Sequence, residues 1–85
     1  MYRIKSITYH DGIEKQEEYA VRRLGRLIDI NPLTDIKAGK SCFLRCQDYL
    51  KSLITSPVID YELMESGELI IKTKNSVYYL EEEKE

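Results

Sequence analysis

The sequence predicts a small all-β domain, and three observations lead to this fold class. The chain has 85 residues, which is enough for one small domain with a thin core. Its apolar residues fall in short runs rich in β-branched and aromatic side chains, and turn-forming residues separate these runs. In the last third of the chain, apolar and polar residues alternate as they do in a strand with one buried face. We therefore expect about five or six strands.

The first predicted strand covers Tyr2 to Tyr9, where charged residues interrupt a run of β-branched and aromatic ones. Strict alternation fails between Ile4 and Ile7, which indicates a bulge or a local twist. Asp11-Gly12 is a turn signal. Residues 14–18 then form a polar connector to the next element.

Residues 19–30, with the sequence YAVRRLGRLIDI, fit two structures. Four apolar residues follow helical spacing, namely Ala20, Leu24, Leu27 and Ile28. However, Gly25 lies in the middle, where it costs a helix about 1 kcal/mol relative to alanine. The favoured interpretation is a strand with a glycine bulge at Gly25 that ends before Asn31-Pro32. A helix over these residues is the alternative.

The middle of the chain predicts a short strand from Ser41 to Cys46, with its two cysteines and Leu44 on one face. Gln47-Asp48 then turns the chain and residues 51–55 return. A short helix over residues 46–53 is the alternative. A short helix there or within residues 14–24 would change the fold class to α+β. On a strand the two cysteines lie about 13 Å apart, too far for a disulfide, so we expect reduced thiols.

The last third predicts three strands joined by tight turns. Residues 58–64 alternate, which places Ile59, Tyr61 and Leu63 on the buried face. Glu65-Ser66-Gly67 is a hairpin connection, and it leads into a strand over residues 68–73. Lys74-Asn75 is a two-residue turn in which asparagine tolerates the left-handed conformation. Residues 76–80 form the final strand.

Two related phrases flank these strands, Thr55-Ser56-Pro57-Val58 and Thr73-Lys74-Asn75-Ser76-Val77. Pro57 has no N–H and therefore suits the start or the edge of a strand. The hydroxyl groups of Thr55 and Ser56 can bond to nearby backbone. Turn chemistry thus explains both phrases without a catalytic role.

A resemblance to a known group of sequences supports the fold class. The chain resembles an uncharacterised family of short bacterial and phage-borne proteins that carry three motifs. Here they are Arg23-Leu24-Gly25-Arg26, Thr55-Ser56-Pro57-Val58 and Thr73-Lys74-Asn75-Ser76-Val77-Tyr78. The resemblance implies a small barrel of the SH3-like kind and carries no activity. The expected fold is therefore an SH3-like barrel or meander, with residues 1–80 as a single domain.

Residues 81–85, with the sequence EEEKE, are expected to form a frayed acidic tail. The net charge of −2 hides an asymmetry, because residues 1–51 carry a net charge of +3 and residues 52–85 one of −5. No apolar run is long enough to span a bilayer, and the N-terminus lacks the apolar stretch of a secretory signal. We expect a protein of the bacterial cytoplasm.

Few residues suit catalysis or metal binding. His10 is the only histidine, and Cys42-x-x-x-Cys46 lacks the usual spacing of a zinc knuckle. No nucleophile elbow, phosphate-binding loop or dinucleotide fingerprint is present. We expect no enzyme, no cofactor and no metal.

Binding of another protein is the leading hypothesis for function, and a phage or mobile element is the suggested origin. Seven tyrosines suit an interface, and in the final strand Tyr78 and Tyr79 point to opposite faces, so at least one is expected to be exposed. Pairing of edge strands would give a homodimer. The runner-up is nucleic-acid binding by a basic patch of Arg22, Arg23 and Arg26. No membrane partner is expected.

Overall fold

A computed structural model describes residues 1–83 and shows a closed antiparallel barrel of six strands. Each strand pairs with the next along the chain, and the last strand pairs with the first. The strands are β1 (Tyr2–Thr8), β2 (Leu27–Asp29), β3 (Ser41–Cys46), β4 (Leu53–Leu63), β5 (Glu68–Thr73) and β6 (Val77–Glu82). The prediction of a small all-β barrel is confirmed.

Only short helices accompany the barrel. They are α1 (Glu18–Arg23), α2 (Pro32–Asp35) and a 3-10 turn (Tyr49–Lys51). The Asn31 side chain accepts a hydrogen bond from the Leu33 N–H and proline occupies the first turn of α2, both favourable at a helix start. The Asp48 side chain caps the 3-10 turn in the same way, through the Leu50 N–H. A short helix thus does occur within residues 14–24, as the alternative allowed, but the closed six-strand barrel keeps the fold class all-β.

Residues 19–30 combine the two structures that the sequence left open. The favoured strand is wrong for the first half, where α1 ends at Arg23, and right for Leu27–Asp29 in β2. The reason is that Gly25 lies beyond the helix and not within it. Its φ of +83° reverses the chain, and its N–H donates to the Ile4 carbonyl at 2.8 Å. Gly25 therefore brings the chain back onto β1.

The core lies inside the barrel and receives side chains from every strand. The expected bulge in β1 is present between Ile4 and Ser6, and the expected inward face of β3 is confirmed. The most deeply buried side chains are Ile4, Ile28, Cys42, Leu44, Val58, Leu69, Ile71, Thr73 and Leu80. Such dense burial in a small chain leaves little redundancy in the packing.

The predicted inner face of β4 is wrong. Ile59 and Leu63 are exposed, by 51% and 45%, while Val58 is buried and Tyr61 is only partly buried against the core. The pairing of β4 with β5 shifts register between Val58 and Asp60. Because side chains alternate with a period of two, a shift of one residue exchanges the two faces of a strand.

The first of the two related phrases lies within β4 and not at its start, which corrects the prediction for Pro57. Here β4 pairs with β3 on one side and with β5 on the other. The hydroxyl of Thr55 accepts a hydrogen bond from the Cys42 N–H at 3.0 Å and donates to the Ser56 carbonyl at 2.8 Å. A register shift between Ser41 and Phe43, opposite Pro57, lets the ladder accommodate a residue without an N–H.

The second phrase closes the hairpin between β5 and β6 and contacts the first. Lys74 N–H donates to the Pro57 carbonyl at 2.9 Å, and Asn75 N–H donates to Ser56 Oγ at 3.1 Å. Asn75 does not adopt the left-handed conformation that was expected, because every positive φ in the described chain belongs to a glycine. Side-chain hydrogen bonds shape this turn instead.

The prediction of a frayed tail from residue 81 is wrong for Glu81 and Glu82, which belong to β6 and pair with β1. The Lys5 ammonium donates to Glu81, and this bond lowers the pKa of the exposed carboxyl group. Glu83 pairs with Arg3. The remaining tail residues, 84 and 85, lie outside the described residues.

Closure of the barrel gives each strand two strand neighbours. The expected homodimer depended on an open strand edge, and the β1–β6 pairing removes the two edges that an open sheet would have. The homodimer through edge strands stays a prediction. Among residues 1–83, no helix is long and apolar enough to cross a membrane.

Candidate functional site

The structure separates Arg23 from the other two arginines of the predicted basic patch. Arg23 turns towards the barrel, where its Nη1 donates to the Tyr78 hydroxyl at 2.9 Å and its guanidinium lies 5.0 Å from the centre of the Tyr19 ring. Arg22 forms an exposed salt bridge of 2.7 Å with Glu18 on the same helix. Arg26 lies beyond the helix, next to β2. Arg22 and Arg26 line one groove, whereas Arg23 is engaged with two tyrosines.

The predicted tyrosine pair is not an exposed surface. Tyr78 is only 3% exposed, and burial raises the pKa of its hydroxyl although the Arg23 guanidinium opposes this shift. Tyr79 is partly buried. Tyr78 therefore belongs to the core, and neither residue is the prominent exposed aromatic that the sequence suggested.

Two further tyrosines, Tyr9 and Tyr19, contact the ammonium group of Lys15. Lys15, only 8% exposed, donates from Nζ to the Tyr19 hydroxyl at 2.9 Å. The same Nζ lies 4.9 Å from the centre of the Tyr9 ring and 5.6 Å from that of Tyr19. Such cation–π contacts stabilise a partly buried ammonium. This cluster packs the connector against the barrel, and both tyrosine rings stay partly exposed.

A basic groove runs along one end of the barrel, and we define it by its four cations, Arg3, Arg22, Arg26 and Lys51. It has a volume of about 540 Å³, and Asp48 and Leu24 also contribute to its walls. Arg26 Nη1 donates to the Lys51 carbonyl at 2.9 Å and so joins the two walls. The predicted basic patch included two of these cations, Arg22 and Arg26, but not Arg3 or Lys51, which are distant from them in the chain.

An apolar patch lies beside this groove, and we define it as Phe43, Tyr49, Leu50 and Ile54. Phe43 on β3 and Ile54 on β4 are directly opposite each other. The Tyr49 ring centre lies 6.2 Å from that of Phe43, at an angle typical of tilted aromatic pairs. Leu50 is 92% exposed and Ile54 is 68% exposed. Large apolar side chains gathered in this way are typical of interaction surfaces.

Local hydrogen bonds hold the patch in shape. Ser52 Oγ accepts from the Cys46 N–H at 2.8 Å, where the chain leaves the 3-10 turn and enters β4. Asp48 Oδ1 accepts from the Leu50 N–H at 3.2 Å at the start of that turn. Because both ends of the turn are fixed, Tyr49 and Leu50 are presented on an ordered backbone. Binding of a partner would then cost little conformational entropy in this turn, because its backbone is already ordered.

The alternation of residues in β3 already indicates one member of this patch. If alternate residues of β3 face inward, beginning with Cys42, then Phe43 must face outward. Its cross-strand partner Ile54 could not be assigned because the register of β3 and β4 contains a shift. Leu50 was missed because residues 46–53 fitted both a strand and a helix.

Both cysteines are free and buried, as the sequence predicted for reduced thiols. Burial raises the pKa of Cys42 to about 11, with a smaller contribution from Asp35, and burial also raises the pKa of Cys46. Cys42 Sγ lies 3.7 Å from the Asp35 carbonyl. These surroundings favour the neutral thiol and not the nucleophilic thiolate.

We therefore expect Cys42 to react slowly with iodoacetamide. In a Cys46→Ala variant at pH 8, its alkylation should be about a hundredfold slower in the native protein than after unfolding in urea. Since the pKa of Cys42 is raised in the folded state, its contribution to stability is present below the ordinary pKa of 9.0 and is lost as the pH rises towards 11. Equal rates of alkylation in the native and unfolded protein would contradict this account.

The imidazole of His10 contacts a backbone carbonyl group. Its Nε2 lies 2.7 Å from the Thr73 carbonyl oxygen, which ties the first turn to the β5–β6 hairpin. Within residues 1–83, no group of three or more histidine, cysteine or acidic side chains is placed to hold a metal ion. The basic groove and the apolar patch are thus the surfaces that need a functional explanation.

Comparisons of the chain with protein-family models, curated proteins and solved structures find no significant match. The resemblance drawn from the three short motifs therefore stays a prediction.

Proposed function

We propose that this protein is a small interaction module that binds another protein through the apolar patch. The observation that carries the proposal is the exposure of four large apolar side chains: Ile54 and Tyr49 both lie next to Phe43, and Leu50 follows Tyr49 on the same ordered turn. Burying one such side chain contributes about 1.5–3 kcal/mol. Two or three of them covered together supply the central anchor of a protein interface.

The composition of the patch favours a protein over a nucleic acid as the partner. Leu50 and Ile54 are its most prominent aliphatic members, and aliphatic side chains offer no aromatic face on which a base could stack. Arg23, which the nucleic-acid hypothesis needed, is engaged with Tyr78. The partner surface we propose is one that inserts apolar side chains between Phe43, Leu50 and Ile54.

The setting of this function is proposed on the sequence alone. We propose a bacterial cytoplasm, a reducing compartment that fits the two free cysteines. The SH3-like kind of barrel and an origin in a phage or mobile element rest on the resemblance of the three motifs.

Capture of a partner by variants of the patch tests the proposal. The tagged protein, a Leu50→Ser/Ile54→Ser variant and an Ile13→Ser/Leu33→Ser control are incubated with nuclease-treated lysate of the cells that encode the protein. Ile13 and Leu33 are also highly exposed apolar residues, and neither belongs to the patch. We expect the wild type and the control to retain the same protein, and the patch variant to lose it by at least about tenfold, as two lost anchors imply.

Two results would contradict this proposal. One is retention of the same protein by the patch variant at the wild-type level. The other is capture that disappears with nuclease in all three proteins, which would transfer support to nucleic-acid binding. Recovery of further copies of this chain alone would make self-association the function of the patch.

A further inference from the structure

One segment of chain forms both a wall of the basic groove and part of the apolar patch. Asp48 and Lys51 line the groove, while Tyr49 and Leu50 extend from the same turn into solvent. Arg26 fixes this turn to the opposite wall through its hydrogen bond to the Lys51 carbonyl. A partner segment lying on the patch therefore also passes the groove.

Two of the four cations in the groove already have acidic partners. Arg3 pairs with Glu83, and Arg22 pairs with Glu18. In the described part of the chain, no salt bridge involves Arg26 or Lys51. Arg26 uses one N–H on the Lys51 carbonyl, and a guanidinium has five N–H donors. An incoming carboxylate can therefore form charge-assisted hydrogen bonds here.

We infer that the basic groove binds an acidic stretch of the same partner segment whose apolar side chains cover the patch. An aspartate or glutamate of the partner lies between Arg26 and Lys51, and the neighbouring leucine or aromatic side chains lie on Leu50 and Ile54. This inference rests on the proposed function, which it deepens by naming the chemistry of the partner. The charge contact fixes the direction in which the segment lies.

The groove suits a short acidic peptide better than a nucleic-acid strand. A strand of nucleic acid gains affinity from a succession of phosphate contacts, whereas the groove offers two uncompensated cations and places the Asp48 carboxylate beside them. One or two carboxylates match the charge that is available.

Selection of random peptides displayed on phage against the purified protein tests the inference. Four proteins are compared: the wild type, Arg26→Gln/Lys51→Gln, Leu50→Ser/Ile54→Ser and a Lys37→Gln/Lys40→Gln control. The wild type and the control should enrich peptides in which aspartate or glutamate accompanies leucine or aromatic residues. The groove variant should enrich apolar residues without acidic ones and bind the best wild-type peptide about tenfold more weakly. The patch variant should enrich neither.

The outcomes separate this inference from the proposed function. If wild-type selection yields apolar peptides without acidic residues, the inference is overturned and the proposed function stands. Failure to enrich any peptide, or the same peptides on the patch variant, would overturn both. A single-stranded oligonucleotide that displaces the selected peptide, and that binds through Arg26 and Lys51, would replace the acidic peptide with a nucleic acid.

Discussion

Replacement of Leu80 by alanine is expected to lower the free energy of unfolding by about 2–5 kcal/mol. Leu80 is completely buried, and its backbone lies opposite Ile4 on β1 and opposite Leu69 on β5, two residues that are also in the core. Truncation removes apolar contact at the seam that closes the barrel. Since a domain has only about 5–15 kcal/mol of stability in total, this single change consumes a large share of it.

Urea denaturation followed by circular dichroism measures this effect, and Leu50→Ala is the matched control. Leu50 is almost fully exposed, so the same substitution there should change the free energy of unfolding by less than about 0.5 kcal/mol. A loss of stability for Leu80→Ala as small as that for Leu50→Ala would show that position 80 is not in the core. The β1–β6 closure described above would then be wrong.

Replacement of Thr73 by valine is expected to lower the free energy of unfolding by about 1–3 kcal/mol, although valine has almost the same shape. Thr73 is completely buried, and its hydroxyl donates to the Ser76 carbonyl at 3.0 Å and accepts from the Ser76 N–H at 3.1 Å. Valine keeps the apolar contacts but leaves the buried Ser76 N–H without its acceptor. The loss therefore measures the hydrogen bonds of this turn.

Thr8→Val provides the control, because it makes the same substitution at a buried threonine with different partners. Within residues 1–83, the Thr8 hydroxyl has no hydrogen-bond partner. Removing an unsatisfied buried hydroxyl is neutral or stabilising. Equal destabilisation by Thr8→Val and Thr73→Val would contradict the role assigned to the Thr73 hydroxyl.

The parts of the fold that were predictable from the sequence are those governed by local rules. The strand Glu68–Thr73 and the strand Ser41–Cys46 follow from alternation and β-branched residues, and Gly67 takes the positive φ expected of its hairpin. The bulge in β1 was also predictable, because it interrupts the alternation, but the phase change in β4 was not. The register shift after Val58 places Ile59 on the outside of the barrel. Residues 58–64 alternate without interruption, so the sequence contains no sign of the inserted residue.

The candidate site was less predictable because it depends on contacts between distant parts of the chain. Arg23 and Tyr78 were both singled out as exposed binding residues, yet they satisfy each other 55 positions apart. Nothing in either local sequence indicates this pairing. Likewise, Arg3 and Lys51 enter the groove only because barrel closure brings β1 and the 3-10 turn to the same end. Long-range pairing of polar groups is a tertiary property that composition and periodicity do not encode.

The central claim, that the apolar patch contacts a partner protein, is tested most directly by photo-crosslinking. A photo-reactive benzoyl-phenylalanine replaces Leu50 in one protein and Ile13 in another, both highly exposed positions, and each is irradiated in living cells. We predict that position 50 forms a discrete adduct with a different protein, that the adduct survives nuclease, and that position 13 does not form it. No adduct from position 50, or the same adducts from both positions, would contradict the claim.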